Sequence, residues 1–153
     1  MQDDNAKSVK EFNKAIKEFE KLVPMMQADI LKKVSLDAFR YLQDKTPKDS
    51  GRAAGGWNAN VNSKPSEWKP PSLPKGYKRA KGTKVYSMQA FNGLSSIRFN
   101  SFINLSNNVE YIGALDDGHS KIQAPDGIVA PVFARMTAYL NQQLAKLSRM
   151  VVK

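Results

Sequence analysis

The chain has 153 residues, of which 41% are hydrophobic and 25% charged, and a formal net charge of +10. That length suits one domain, 1–153, with room for an ordinary core. Cysteine is absent and His119 is the single histidine, which excludes disulfides, thiol nucleophiles and zinc sites built from His and Cys.

The opening "MQDDNAKSVKEF" lacks the apolar core of a secretory signal. No apolar run approaches the ~20 residues that span a bilayer, so a soluble protein without a membrane partner is expected. Residues 7–45 read as the N-terminal helical region. Val9, Phe12, Ile16, Phe19, Val23, Met26 and Ile30 recur at steps of three and four, and Val34, Ala38 and Leu42 extend the stripe. Pro24 interrupts this pattern and predicts a kink or break. "TPKDSG" ends the helix, because Pro47 cannot continue it and biases Thr46 toward extended backbone.

A sheet is expected over 57–106. Trp57, Ala59 and Val61 alternate with Asn58, Asn60 and Asn62 as a half-buried strand. Residues 63–84 hold Pro65, Pro70, Pro71, Pro74, Gly76 and Gly82, and no regular element survives that density of breakers. The same loop carries Lys64, Lys69, Lys75, Lys78, Arg79, Lys81 and Lys84 against Glu67 alone, with Trp68 and Tyr77 among them. Such a segment buries too little apolar surface to offset its ordering entropy and is expected to be mobile in an isolated protomer. Strand character resumes in "KVYSMQAF", "NGL" signals a hairpin, and "SIRFNSFINLSN" returns. Asn107 or Asn108 is expected to cap a short helix over 108–118, closed by Gly118. A C-terminal helix follows over 129–150, with Pro131 in its first turn and an apolar face of Phe133, Met136, Leu140, Leu144, Leu147 and Val151. The predicted fold is α+β: a long kinked N-terminal helix and a C-terminal helix packed on an antiparallel sheet of three or four strands, with a long basic Pro-rich loop.

Catalytic groups are hard to assemble from these residues. His119 has no nucleophile elbow to serve. Asp116 and Asp117, being adjacent, point in different directions and make a poor acid–base pair. "GRAAGG" lacks the GK[ST] ending of a phosphate-binding loop. No cofactor, metal or catalytic residue is assigned, and the chain is read as a non-enzyme.

Two stretches remain, "TPKDSGRAAGGW" and "NNVEYIGALDDGHSKIQAPDG". Together, in this order and between two helices, they resemble the tail-completion, or neck, family of tailed bacteriophages. Thr46, Pro47, Asp49, Ser50, Gly51 and Arg52 match its first block, with Trp57 in the aromatic place. Asn107, Tyr111, Asp116, Gly118, Ser120 and Pro125 match its second. Ala53 stands where the family has leucine, Ile112 where it has a small residue and Asp117 where it has an aromatic. The resemblance implies a structural virion protein at the head–tail junction, in the neck or tail and assembled in the host cytoplasm. It implies a ring of copies, six-fold in the family, that joins head connector to tail around the DNA path. Neighbouring neck, connector and tail proteins, and non-specific contact with packaged DNA, are the partners it implies. Within the motifs, Asp49 is expected to accept backbone hydrogen bonds in its turn, Gly51 to permit the reversal, and Arg52 to pair with Asp116. The basic loop faces either protein or DNA. The charge, with Trp68 and Tyr77, also fits a stand-alone nucleic-acid-binding protein.

Overall fold

A computed structural model describes the backbone of residues 2–78 and 85–151, with the side chains of all but 2–22, 147, 148 and 151 among them. Arg79, Lys81 and Lys84 of the basic loop lie outside the described residues. So do the side chains of Val9, Phe12, Ile16 and Phe19 in the N-terminal stripe and of Leu147 and Val151 in the C-terminal one.

The first element is one helix, α1, Gln2–Lys45. It runs on through Pro24, so of the kink or break expected there the break does not occur. The proline withholds one bond from a 44-residue ladder, a local cost of about 3 kcal/mol that a long helix survives. The turn after α1 leads into a single helical turn, α2, Arg52–Gly55, and then into strand β1, Trp57–Val61. A 3-10 turn follows at Leu94–Ser96, then strand β2, Ile103–Asn107, short helix α3, Ile112–Asp116, and the C-terminal helix α4, Val129–Val151.

The fold class is α+β, but among the described residues the sheet has two strands, not three or four. β1 pairs antiparallel with β2, from Trp57 opposite Asn107 to Val61 opposite Ile103. "KVYSMQAF" does not form the third. Its described part lies against the turns of α1 and α2 instead: Val85 N donates to Ser50 O at 3.1 Å, and Gln43 Nε2 to Gln89 O at 2.8 Å. Phe91 meets Phe39 edge-on with centroids 5.5 Å apart. The hairpin at Asn92–Gly93 also fails to form. A type I′ turn needs positive φ at both central residues, and here Gly93 has it and Asn92 does not. The chain turns into the 3-10 segment instead, and strand pairing waits until Ile103.

One cluster forms the core. Ala38, Phe39 and Leu42 of α1 meet Trp57 and Ala59 of β1, together with Ala124, Ile128 and Val132. The C-terminal helix reaches this cluster through Val129, Val132 and Met136, and its principal partner is α1. The expectation that both helices lie on one sheet face is corrected accordingly. A two-stranded ribbon is too narrow to carry two helices side by side, so α4 leans on α1. Its outer half keeps apolar residues on the surface: Leu140 is 39% exposed and Leu144 62%.

Candidate functional site

The two motif stretches fold against each other. Thr46 ends α1 and is 1% exposed. Its hydroxyl donates to Leu42 O at 2.6 Å and accepts the indole N–H of Trp57 at 2.8 Å. One buried oxygen thus closes the helix and anchors the strand. Thr46→Val keeps the shape but strands the indole donor, and should cost about 1–3 kcal/mol; a urea titration of the variant measures it, and an unchanged midpoint would remove Thr46 from this role.

Ser50 Oγ accepts the Arg52 N–H at 3.2 Å, and Gly51 takes a left-handed φ of 86°. From the second stretch, Asn107 Nδ2 reaches back to Ala53 O at 2.7 Å, while its Oδ1 accepts the Val109 N–H at 3.1 Å. Asn107 is the last residue of β2, not a helix cap. Helix α3 starts after Tyr111 and has no side-chain cap. Pro47 and Asp49 lie in the turn between α1 and α2. The following loop is tied to that turn, because Lys48 N donates to Gln123 Oε1 at 3.1 Å.

Arg52 is 7% exposed and does not pair with Asp116. Its Nη1 sits 2.7 Å from Glu110 Oε2, its Nη2 3.4 Å from Oε1, and its guanidinium 5.9 Å from the centre of the Tyr111 ring. Asp116 is occupied elsewhere. Its Oδ1 accepts the N–H groups of Ile128 and Val129, both at 2.8 Å, and so caps the start of α4, where an anion is also favoured by the helix dipole. The acidic partner of Arg52 lies in the same second stretch, six residues before Asp116. Gly118 has a φ of 80°, and Ser120 bridges to Ala124.

Arg52 also holds the Pro-rich segment. Its Nε donates to Pro70 O at 3.0 Å and Pro71 O at 3.2 Å, and the Tyr86 hydroxyl donates to Pro71 O. The rest of the grip comes from the polar face of the ribbon. Asn104 Nδ2 donates to Ser63 O at 2.6 Å, Asn108 Nδ2 to Ser66 O at 2.6 Å and Trp68 O at 3.0 Å, and Asn58 Nδ2 to Trp68 O at 3.2 Å. Side-chain amides therefore bind the carbonyls of an extended strap from Ser63 to Pro71. This corrects the expectation of a free loop for that half: prolines cannot donate to a ladder, but their carbonyls accept. The signal was legible. Asn58, Asn60 and Asn62 alternate, as do Asn104, Ser106 and Asn108, and pairing the strands places donors from both on one face. Asn60 Oδ1 lies buried on that face with no hydrogen-bond partner among the described residues.

Lys69 Nζ joins the network at 2.6 Å from Glu110 Oε1. Arg52, then Lys69, holds the Glu110 carboxyl far below its ordinary value, and Glu110 in turn raises that of Arg52. A depressed carboxyl contributes stability that is fully present above its ordinary value of 4.5 and is lost as pH falls through the folded value. Wild type should therefore melt above Glu110→Gln at neutral pH, and the gap should narrow as the solution is acidified below that value. Melting curves across pH check this; a gap independent of pH would detach Glu110 from the network.

Lys64, Lys75 and Lys78 are exposed, and Trp68 and Tyr77 are 44% and 51% exposed. Between α4 and α1, Arg135 pairs bidentately with Asp37, at 2.8 and 3.1 Å, and lies over Tyr41. That pair lines an open groove of about 440 Å³ with Arg40, Asp44 and Lys48. Among the described residues no three His, Cys, Asp or Glu side chains gather as a metal site, and no helix is long and apolar enough to cross a membrane. Compared with family models, curated proteins and solved structures, the chain matches none of them.

Proposed function

We propose that this chain is a structural assembly protein of a tailed-phage particle, a neck or tail-completion component that forms a ring between head connector and tail. The observation that carries the reading is the interlock of the two motif stretches, through Asn107 on Ala53, Glu110 on Arg52 and Gln123 on the Lys48 amide. These contacts spend their polar groups on holding backbone in place. A rigid cassette of this kind suits a part that must present fixed surfaces to neighbours. The resemblance of the same two stretches to the neck family supplies the kind of neighbour.

A concentration series by sedimentation velocity, with negative-stain imaging, tests it. Closed oligomers that form without nucleic acid support the reading, as do portal, capsid and tail-tube genes beside this one. A chain that stays monomeric, in a gene neighbourhood without virion genes, overturns it. The second reading, a stand-alone nucleic-acid binder, draws on Trp68 and Tyr77, both exposed beside Lys64, Lys75 and Lys78. It expects a monomer that shifts on adding DNA, with a steep loss of binding as salt rises.

A further inference from the structure

Ile122 is 95% exposed, the highest figure for a large hydrophobic residue among those described. One exposed apolar side chain is ordinary on a protein surface. The bracing beneath this one is not. Ala124 N donates to Ser120 O at 2.8 Å and closes the turn at its base. Gln123 accepts from the Lys48 amide and fixes the turn to the end of α1. Ala124 and Ile128, on the C-terminal side, are buried in the core cluster. The isoleucine is therefore displayed on a rigid mount, and within the protomer its side chain covers nothing. In the chain it is flanked by the exposed carboxylates of Asp117 and Asp126, and by Lys121.

A receptor of matching chemistry lies elsewhere on the same chain. A groove of about 410 Å³ between the middle of α1 and the turn before β2 is lined by Pro24, Met25, Ala28 and Phe99, with Lys32 and Arg98 among its walls. Met25 is 65% and Phe99 48% exposed. Lys32 has a long contact of 3.9 Å with Asp29, while Arg98 donates to the carbonyls of Ser95 and Ile97. Asp29 lines the groove as well, so its walls carry Lys32 and Arg98 against one carboxylate. Ala28 and the end of α1 are separated by about 26 Å of helix, so a protomer cannot fill its own groove with its own turn.

We propose that Ile122 of one protomer inserts into the Pro24–Phe99 groove of a second copy, with Asp117 and Asp126 facing Lys32 and Arg98. This inference rests on the assembly reading above and names its contact. Because knob and groove are different patches, the contact is head-to-tail, and its repetition closes into a ring or continues as a filament. A second copy is the occupant because the turn that displays the isoleucine carries net negative charge and the groove net positive charge.

The absence of cysteine makes the test clean. Ile122→Cys and Met25→Cys, introduced together in the full chain, should give a ladder of disulfide-linked multimers under mild oxidation, while each single variant, with no cysteine opposite its own across a head-to-tail contact, should stay monomeric on a denaturing gel. Both positions are exposed, and circular dichroism checks that folding is intact. Independently, Asp126→Arg should weaken self-association about tenfold, and adding Arg98→Glu should restore it. Oligomers that form without the cross-link, or that ignore the charge changes, overturn the proposed contact and leave the assembly reading standing. A chain that is monomeric throughout and gives no cross-link overturns the contact, and overturns the assembly reading as well where virion genes are also absent from its neighbourhood.

Discussion

Phe39→Ala is expected to lower the unfolding free energy by about 3–5 kcal/mol, in the range for truncating a fully buried aromatic. Phe39 is 1% exposed and belongs to the cluster where α1, β1 and α4 meet, with Phe91 edge-on against it. Truncation removes the aromatic contact between the 85–91 segment and α1, leaving the Gln43–Gln89 hydrogen bond, and opens a cavity between elements that cannot all close in. In a domain of this size the melting temperature should fall by about 6–20 °C. Chemical denaturation gives the free energy directly. A loss under about 1 kcal/mol would mean that this cluster is not the core of the fold.

The second large effect concerns the loop beneath Ile122. Gly127 has a φ of 79°, and a Cβ there would lie 2.1 Å from the carbonyl oxygen of Asp116. Gly127→Ala combines left-handed strain with a clash against backbone, and either the turn or the Asp116 cap must give way. The expected cost is about 1.5–4 kcal/mol, from about 1–2 for the conformation and about 0.5–2 for the lost cap. Gly113→Ala is the control. It sits in α3 with nothing within 4 Å of the added Cβ, and it should be neutral or stabilising by up to about 1 kcal/mol. Equal effects at the two glycines would show that the loop is not braced as described. Proteolysis of Gly127→Ala near Ile122 would show in addition that the mount has loosened, which bears on the proposed contact between copies.

The neutral-pH behaviour of the Arg52 network follows from its geometry. Arg52 is buried, but Glu110 is half exposed and shared with Lys69. The pair therefore works as a clasp on the strap more than as a source of stability. Removing either carboxylate or guanidinium frees the Pro70 and Pro71 carbonyls or leaves a buried cation to find water. What the strap positions is Trp68 and the lysines beside it, so a loosened strap should be visible in Trp68 fluorescence before it is visible in the melting temperature.

Local pattern determined much of this chain by itself. The apolar stripe of α1, the start of α4 at Val129, the strand at Trp57–Val61 and the left-handed turn at Gly118 follow from spacing and turn chemistry, which act over a few residues. The two motif stretches were also legible as places where the chain spends glycines, proline and polar side chains for a reason other than the core. Tertiary structure alone decided which groups those stretches bring together. Arg52 chose Glu110 over Asp116 because Asp116 is drawn to the start of α4, a partner twelve residues away that no pattern at Asp116 announces. "KVYSMQAF" has strand-like alternation, but the close backing of α2 and Phe39 offers it better partners than a third ladder position. The strap was legible only in part, as two rows of alternating polar side chains. Its prolines forbid the hydrogen bonds that a sequence reading counts, and the asparagines that hold it come from two strands whose faces coincide only after they pair.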